Sequence, residues 1–420
     1  MKILLKRVTI ADPLSSFNGF VKDILIVDGI VSQVADDITN ESEAHIVNGG
    51  TLSPGWVDIF SHFCDPGLEY RETLESGAAA AAAGGFTQVF VLPNTNPAVQ
   101  NKSQVEYIVQ KSKHLPVTIH PLGAVTKGLE GKELAEMYDM QNSGAVAFTD
   151  GIQPVQSPGL MLKALQYVKA FNGVVIQLPL DKSIGQHGLM NEGIISTSLG
   201  LPGMPAIAEE LTIQRDIELL KYTGSKLHIT GVSTAKGLGL IQKGKEEGLE
   251  ITCSLAPYQL YFCDEDLQDY DTNLKVNPPL RTRADMMALR QAVQNGLVDC
   301  IATHHLPQNW DSKTCEFEYA KNGMLGLQTA YSVVNTAVPG LTTNRIVDLF
   351  SLNARKIFNL PLVTIQEGSV AEFTLFAAAE EFTLRKQDIK SKSYNTPFIQ
   401  LPLTGKVAGI IAKGNIIENN

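Results

Sequence analysis

Gly55-Trp56-Val57-Asp58-Ile59-Phe60-Ser61-His62 is a short apolar run that ends on a histidine. It is the first of eight such runs. The others cover 88–93, 117–125, 145–150, 174–179, 226–233, 250–257 and 298–307. They are dense in Val, Ile and Leu without strict alternation, which is the pattern of strands buried on both faces. Between them lie helical stretches near 72–83, 103–113, 158–171, 205–222, 234–247 and 283–295. Strands alternating with helices in this way predict an α/β chain with a (β/α)₈ barrel over residues 51–365.

Two segments fall outside that rhythm. Residues 1–50 read as short strands with turns, Asp28-Gly29 being a hairpin signal. Residues 366–420 read the same way. Neither end suffices to cover a sheet alone, so the two together predict a small composite β-sandwich beside the barrel. Six consecutive alanines at 78–83 read as a tightly packed helix rather than a linker.

Composition narrows the functional classes. The chain has 420 residues, 44% of them hydrophobic, enough for a large core. A net charge of −10 with scattered Lys and Arg argues against nucleic acid as a partner. No apolar run approaches the ~18 residues of a membrane-spanning helix. The opening residues, Met1-Lys2-Ile3-Leu4-Leu5-Lys6, do not read as a signal peptide. Five cysteines, Cys64, Cys253, Cys263, Cys300 and Cys315, show no C-x-x-C spacing. They read as reduced thiols, and the chain is expected in the cytoplasm.

In such barrels the reactive groups stand at the C-terminal ends of the strands. Those ends carry His62, Asn94, Asp150, Gln177, His228 to Gly231, Tyr258 and His304-His305. Around them lie Pro54-Gly55-Trp56-Val57-Asp58, Pro93-Asn94-Thr95, Met190-Asn191-Glu192-Gly193 and Val232-Ser233-Thr234-Ala235. Further on come Asp271 to Arg281, Ile301-Ala302-Thr303 and Ser391 to Phe398. Taken together, and over nearly the whole chain, these stretches resemble the dihydroorotases of the amidohydrolase superfamily. The resemblance implies a barrel of the metal-dependent hydrolase type.

Such a family works through a binuclear zinc site that makes hydroxide near neutral pH and polarises an amide carbonyl. Position by position, the resemblance maps its first histidine to Phe60 and its second to His62. The bridging acid maps to Asp150, the strand-five histidine to Gln177, the strand-six histidine to Gly231, and the catalytic aspartate to His304. Four of the six positions have lost the required group. The arginine that clamps the substrate carboxylate maps to Cys64, and a later histidine contact maps to Gln308. Asn94 and Asn277 remain as candidate substrate-binding residues. Arginine to cysteine removes a bidentate, charge-assisted clamp.

The expectation is a dihydroorotase-like protein of pyrimidine biosynthesis with no intact catalytic set and no zinc centre, holding at most one weakly bound ion. The resemblance suggests a structural or regulatory partner of aspartate carbamoyltransferase, or a homodimer. Two alternatives stand beside it. One is an active cyclic-amide hydrolase rebuilt around His62, Asp150 and His304 with one metal or none. The other is a metabolite sensor using Asn94 and Asn277. Taken singly, His62 reads as a hydrogen-bonded pocket histidine, and Asp150 as a hydrogen-bond acceptor or an ion-pair partner of His62 or His304. Adjacent strand residues face opposite ways, so only one of His304 and His305 is expected in the pocket.

Overall fold

The computed structural model describes residues 1–39 and 43–419. Residues 40–42 and 420, inside the two terminal segments, lie outside the described residues.

The apolar run at 55–62 forms the strand Trp56–Ser61, buried along its whole length. It pairs in parallel with Phe86–Val91, which pairs with Thr118–Pro121. On the other side of the barrel, Val175–Gln177, Leu227–Thr230, Ile251–Leu255 and Cys300–Ile301 form a second parallel set. Two junctions join the sets. Phe148 bridges Gly123 on one side and Val175 on the other, and Ser61 bridges His305. The ring is thereby closed, and the fold is the expected (β/α)₈ barrel.

The run at 145–150 is the one that does not become a strand. Only Phe148 makes ladder contacts. The run ends two residues later at Asp150, whose carboxylate takes the backbone amides of Val125 and Thr126. That side-chain bond replaces the ladder where the run would otherwise continue.

The helices start where local chemistry says they should. Thr73 and Ser76 form a capping box ahead of Leu74–Ala83, and Asn101 with Gln104 does the same ahead of Lys102–Ser112. Thr234 caps Ala235–Glu246, and Thr282 caps Arg283–Gln294. In the alanine-rich helix, Ala78, Ala80, Ala81 and Ala82 are buried, so small side chains let it lie close to the barrel.

Both ends of the chain build one further sheet. Its strand path runs through Asn415–Glu418, Pro402–Ala412, Phe373–Thr383, Thr51–Pro54, Lys2–Ile10, Val21–Val27 and Ile30–Ala35, with His45–Asn48 also pairing with Lys2–Ile10. The last strand of the path returns to bridge Val370, so the sheet folds over its own apolar face. Ile3, Leu5, Val8, Ile10, Ile24, Leu52, Phe373 and Ile411 fill the interior. The inward set changes from odd to even numbers across a register shift between Leu5 and Val8. Arg7, at φ 53°, sits in that bulge. This is the β-sandwich formed by both termini.

Arg355 ties the two bodies together. It is fully buried, and its guanidinium bonds the Gly55 carbonyl at 2.9 Å, the Pro361 carbonyl at 2.9 Å and the Glu372 carboxylate. Glu372 also accepts from Thr87 Oγ1 and Gln88 Nε2, on the second barrel strand. Among the described residues all five cysteines are free thiols, and no helix is long and apolar enough to cross a membrane. Replacing Arg355 with Met leaves the Glu372 charge and the Gly55 carbonyl without their partner. The expected loss is about 3 kcal/mol, read as a lower urea midpoint.

Candidate functional site

The mouth of the barrel is assembled from the strand ends, and Phe60, Gly231 and His304 come together there. The Phe60 ring lies against the His304 ring, 4.6 Å between centroids and tilted by 30°. Gly231 follows the strand Leu227–Thr230 at φ 69°, in the left-handed region. A Cβ at 231 would stand 2.6 Å from His304 Cε1. His304 itself holds φ 47°, which is uncommon for a residue with a side chain. Two of the mapped ligand positions, Phe60 and Gly231, therefore both lie against a third, the imidazole of His304.

His304 is anchored through Nε2, 2.8 Å from Thr230 Oγ1. Ser254 Oγ donates to Thr230 Oγ1 at 2.9 Å, so the Thr230 proton goes to His304 and the imidazole proton sits on Nδ1. Ser254 in turn accepts from His228 Nε2 at 2.9 Å, and His228 Nδ1 accepts from Thr252 Oγ1 at 2.9 Å. The result is one chain of hydrogen bonds from Thr252 to His304 along the barrel interior. Burial pushes both imidazoles down to about 3, so both are neutral near pH 7.

His62 is equally committed. Its Nδ1 accepts the Cys64 amide at 2.9 Å, so Nε2 carries the proton and donates to the Asn94 carbonyl at 2.9 Å. Burial lowers it to about 4. Asp150 meets neither His62 nor His304. One oxygen accepts the amides of Val125 and Thr126, both at 2.9 Å, and the other accepts the Thr126 hydroxyl. Burial still holds its pKa up at about 6. Gln177 closes a pair of bonds with the backbone of Val155, Nε2 to the carbonyl at 3.1 Å and Oε1 from the amide at 3.4 Å.

The candidate substrate residues divide. Asn94 is a loop staple: Nδ2 donates to the Asp150 carbonyl and Oδ1 accepts the Ile152 amide. Asn277 Oδ1 is buried with no partner. Asn277, Tyr258, His304 and Phe60 line a cavity of 20 Å³, measured at the centres of water-sized spheres, which is room for about one water. Cys64 is buried, and burial drives its thiol far above the usual range, so the side chain at 64 is itself uncharged, while the Arg71 guanidinium acts on both Cys64 and His62. Gln308 Nε2 bonds the Asn322 carbonyl.

His305 points elsewhere. Its Nε2 meets Glu72 Oε2 at 3.4 Å and its Nδ1 accepts the Gly326 amide. Burial favours a neutral Glu72, but bonds from His305, Ser391 and Ser76 outweigh it and hold the carboxyl below its ordinary range. The sequence marks His228 only as part of a strand end and does not point to its bonds with Ser254 and Thr252. The signal was period-two alternation: 228 and 230 on one strand and 252 and 254 on the next share a face.

A zinc pair does not fit this donor set. Phenylalanine and glycine offer no lone pair. Both ring nitrogens of His62 are used, and the Asp150 oxygens are taken by backbone and Thr126. Among the described residues no three His, Cys, Asp or Glu side chains are grouped to hold an ion.

The buried titrations give an acid-side prediction. His62, His120, His228 and His304 are held neutral down to about 3–4, whereas in the unfolded chain they protonate near 6.5. Asp150 and Asp216 act oppositely, protonating near 6 in the fold and near 3.8 without it. Near pH 5 the unfolded state holds about four protons on these imidazoles and the native state about two on these carboxyls, an excess of about two in the unfolded state. Stability from these groups falls with pH by about 3 kcal/mol per unit, as urea midpoints between pH 6 and 4 will show.

Comparison with known proteins gives the mouth its context. Residues 49–237 match a family model described as dihydro-orotase-like. A dihydroorotase of Acetivibrio thermocellus is 39% identical over 99% of this chain and 98% of its own. One of Caldanaerobacter subterraneus is 40% identical over 99% and 97%. Among solved structures, the L-hydantoinase of Arthrobacter aurescens superposes with a TM-score of 0.86 at 23% identity, over 99% of this chain and 96% of its own. The dihydropyrimidinase of Brevibacillus agri gives 0.83 at 19%, over 100% and 95%. The likeness at that identity is one of fold, but the full-length matches at 39–40% carry more, and the chain belongs to the dihydroorotase family.

Proposed function

We propose that this protein is a dihydroorotase-family chain that has lost the family's metal-dependent catalysis. In this reading it serves pyrimidine biosynthesis as a structural or regulatory partner of aspartate carbamoyltransferase, or as a homodimer. One observation carries the proposal. The polar groups left at the mapped ligand positions are engaged by the protein itself: His62 by Cys64 and Asn94, Asp150 by Val125 and Thr126, Gln177 by Val155, His304 by Thr230.

A metal-free site using His304 as base is a weaker reading, because its free nitrogen already holds the proton and burial makes it a poor base. A sensor for a ring-sized metabolite is disfavoured by a cavity with room for about one water. A surface role has support in large apolar side chains left in solvent. Trp310 and Tyr319, 73% and 70% exposed, project from one loop beside the mouth.

Two measurements test this. Purified protein supplied with zinc is expected to turn over dihydroorotate at background. Phe60→His or Cys64→Arg alone should not restore activity, since such groups act as a unit. Robust zinc-dependent turnover by the unaltered chain would overturn the proposal. Co-expression with the cell's own transferase should give a complex on size exclusion, burying well over ~1,000 Å². Elution as a monomer with no effect on the transferase removes the partner role.

A further inference from the structure

Resting on the non-catalytic reading, we infer that Phe60, Gly231 and His304 have become one interlocked packing unit, which converts the barrel mouth into core. The three positions lie on three different strand ends and are separated by more than 70 residues in every pairing. They nonetheless share one volume. The His304 ring occupies the space into which a side chain at 231 would project, with Cε1 at 2.6 Å and Nε2 at 3.2 Å from the ideal Cβ. Leu178 Cδ1 stands 3.3 Å from the same Cβ, so the added atom would meet a second neighbour as well as the ring. Phe60 covers its face at 4.6 Å.

The ring is also fixed by its bond to Thr230 and by a left-handed backbone at 304. A side chain at 231 must therefore displace the imidazole, breaking the Thr230 bond and the contact with Phe60 together. An imidazole at 60 would put ring nitrogens against the His304 face. The positions can be changed in concert and not singly. This gives a steric reason, independent of metal chemistry, to expect that changing one of these positions alone will not rebuild a site.

The test is a thermodynamic cycle on the full-length chain, read by thermal and urea unfolding. The variants are Gly231→Ala, His304→Ala and the pair. Alanine at 231 carries the same left-handed strain in both backgrounds, so that cost cancels. Gly231→Ala should lower the midpoint markedly beside His304 and much less, or not at all, in the His304→Ala background. If Gly231→Ala yields no folded protein, recovery of folded double variant supports the unit. Failure of the double as well, or an equal drop in both backgrounds, overturns it. Gly231→His should likewise accumulate as folded protein only when combined with His304→Asp. The outcomes are separable from catalysis. Turnover by the unaltered chain would sink the functional proposal and leave the cycle standing, whereas additivity would sink the interlock and leave the chain inactive.

Discussion

The seam between the first and last barrel strands sets the register on which everything at the mouth depends. Asp58 pins it. Its carboxylate, fully buried, accepts the Thr303 amide at 2.6 Å and the Ser61 hydroxyl. Ser61 then bridges His305, and the His62 amide donates to the His305 carbonyl at 2.8 Å. A buried carboxylate without such donors would cost several kcal/mol. Burial does raise the Asp58 carboxyl, and the bonds from Ser61 and Thr303 work against that rise. One residue's slip at this seam would turn Phe60 and His304 to opposite faces.

Several stretches that carry the family resemblance are partners of one another. Arg281 bonds Asn191 Oδ1 at 3.1 Å, the Met204 carbonyl at 2.9 Å and Ser233 Oγ at 3.0 Å. Glu209 accepts the amides of Ser233 and Thr234. Asn191 reaches Asp264. Ser391 and the Lys392 amide hold Glu72, which faces His305. These groups brace the long loops over the barrel and touch none of the mapped ligand positions except through the backbone. Removing any one would strand a buried partner, at about 1–3 kcal/mol. Such a network holds these loops through partners other than the groups at the mapped ligand positions.

The sequence reveals the strands through their apolar runs, because a barrel strand is buried on both faces and has few alternatives to Val, Ile and Leu. It misleads at 145–150, where composition promises a strand and the Asp150 side chain ends it. The chemistry of the mapped positions is legible too, since phenylalanine at 60 and glycine at 231 offer no lone pair to a metal. What stays hidden is that these replacements touch. Residues 60, 231 and 304 lie far apart along the chain, and no local pattern says that the hydrogen at 231 makes room for the ring at 304. The chain Thr252–His228–Ser254–Thr230–His304 is hidden for the same reason: it crosses between strands, and each member alone is an unremarkable polar residue.

The replacements follow a rule about buried polar groups. In a metal site an imidazole's lone pair is satisfied by the ion. Without an ion, a side chain at such a position must find a partner in the protein or carry no polar atom. Phenylalanine at 60 and glycine at 231 give it up. Gln177 finds the backbone of Val155, and His304 finds Thr230. The retained His62 and Asp150 settle on backbone amides and a carbonyl. Asn277 and Gln308 are each left with a buried unpaired side-chain oxygen, and Asn277 lines the water-sized cavity. The protein thus supplies hydrogen-bond partners to His62, Asp150, Gln177 and His304 from its own backbone and hydroxyl groups.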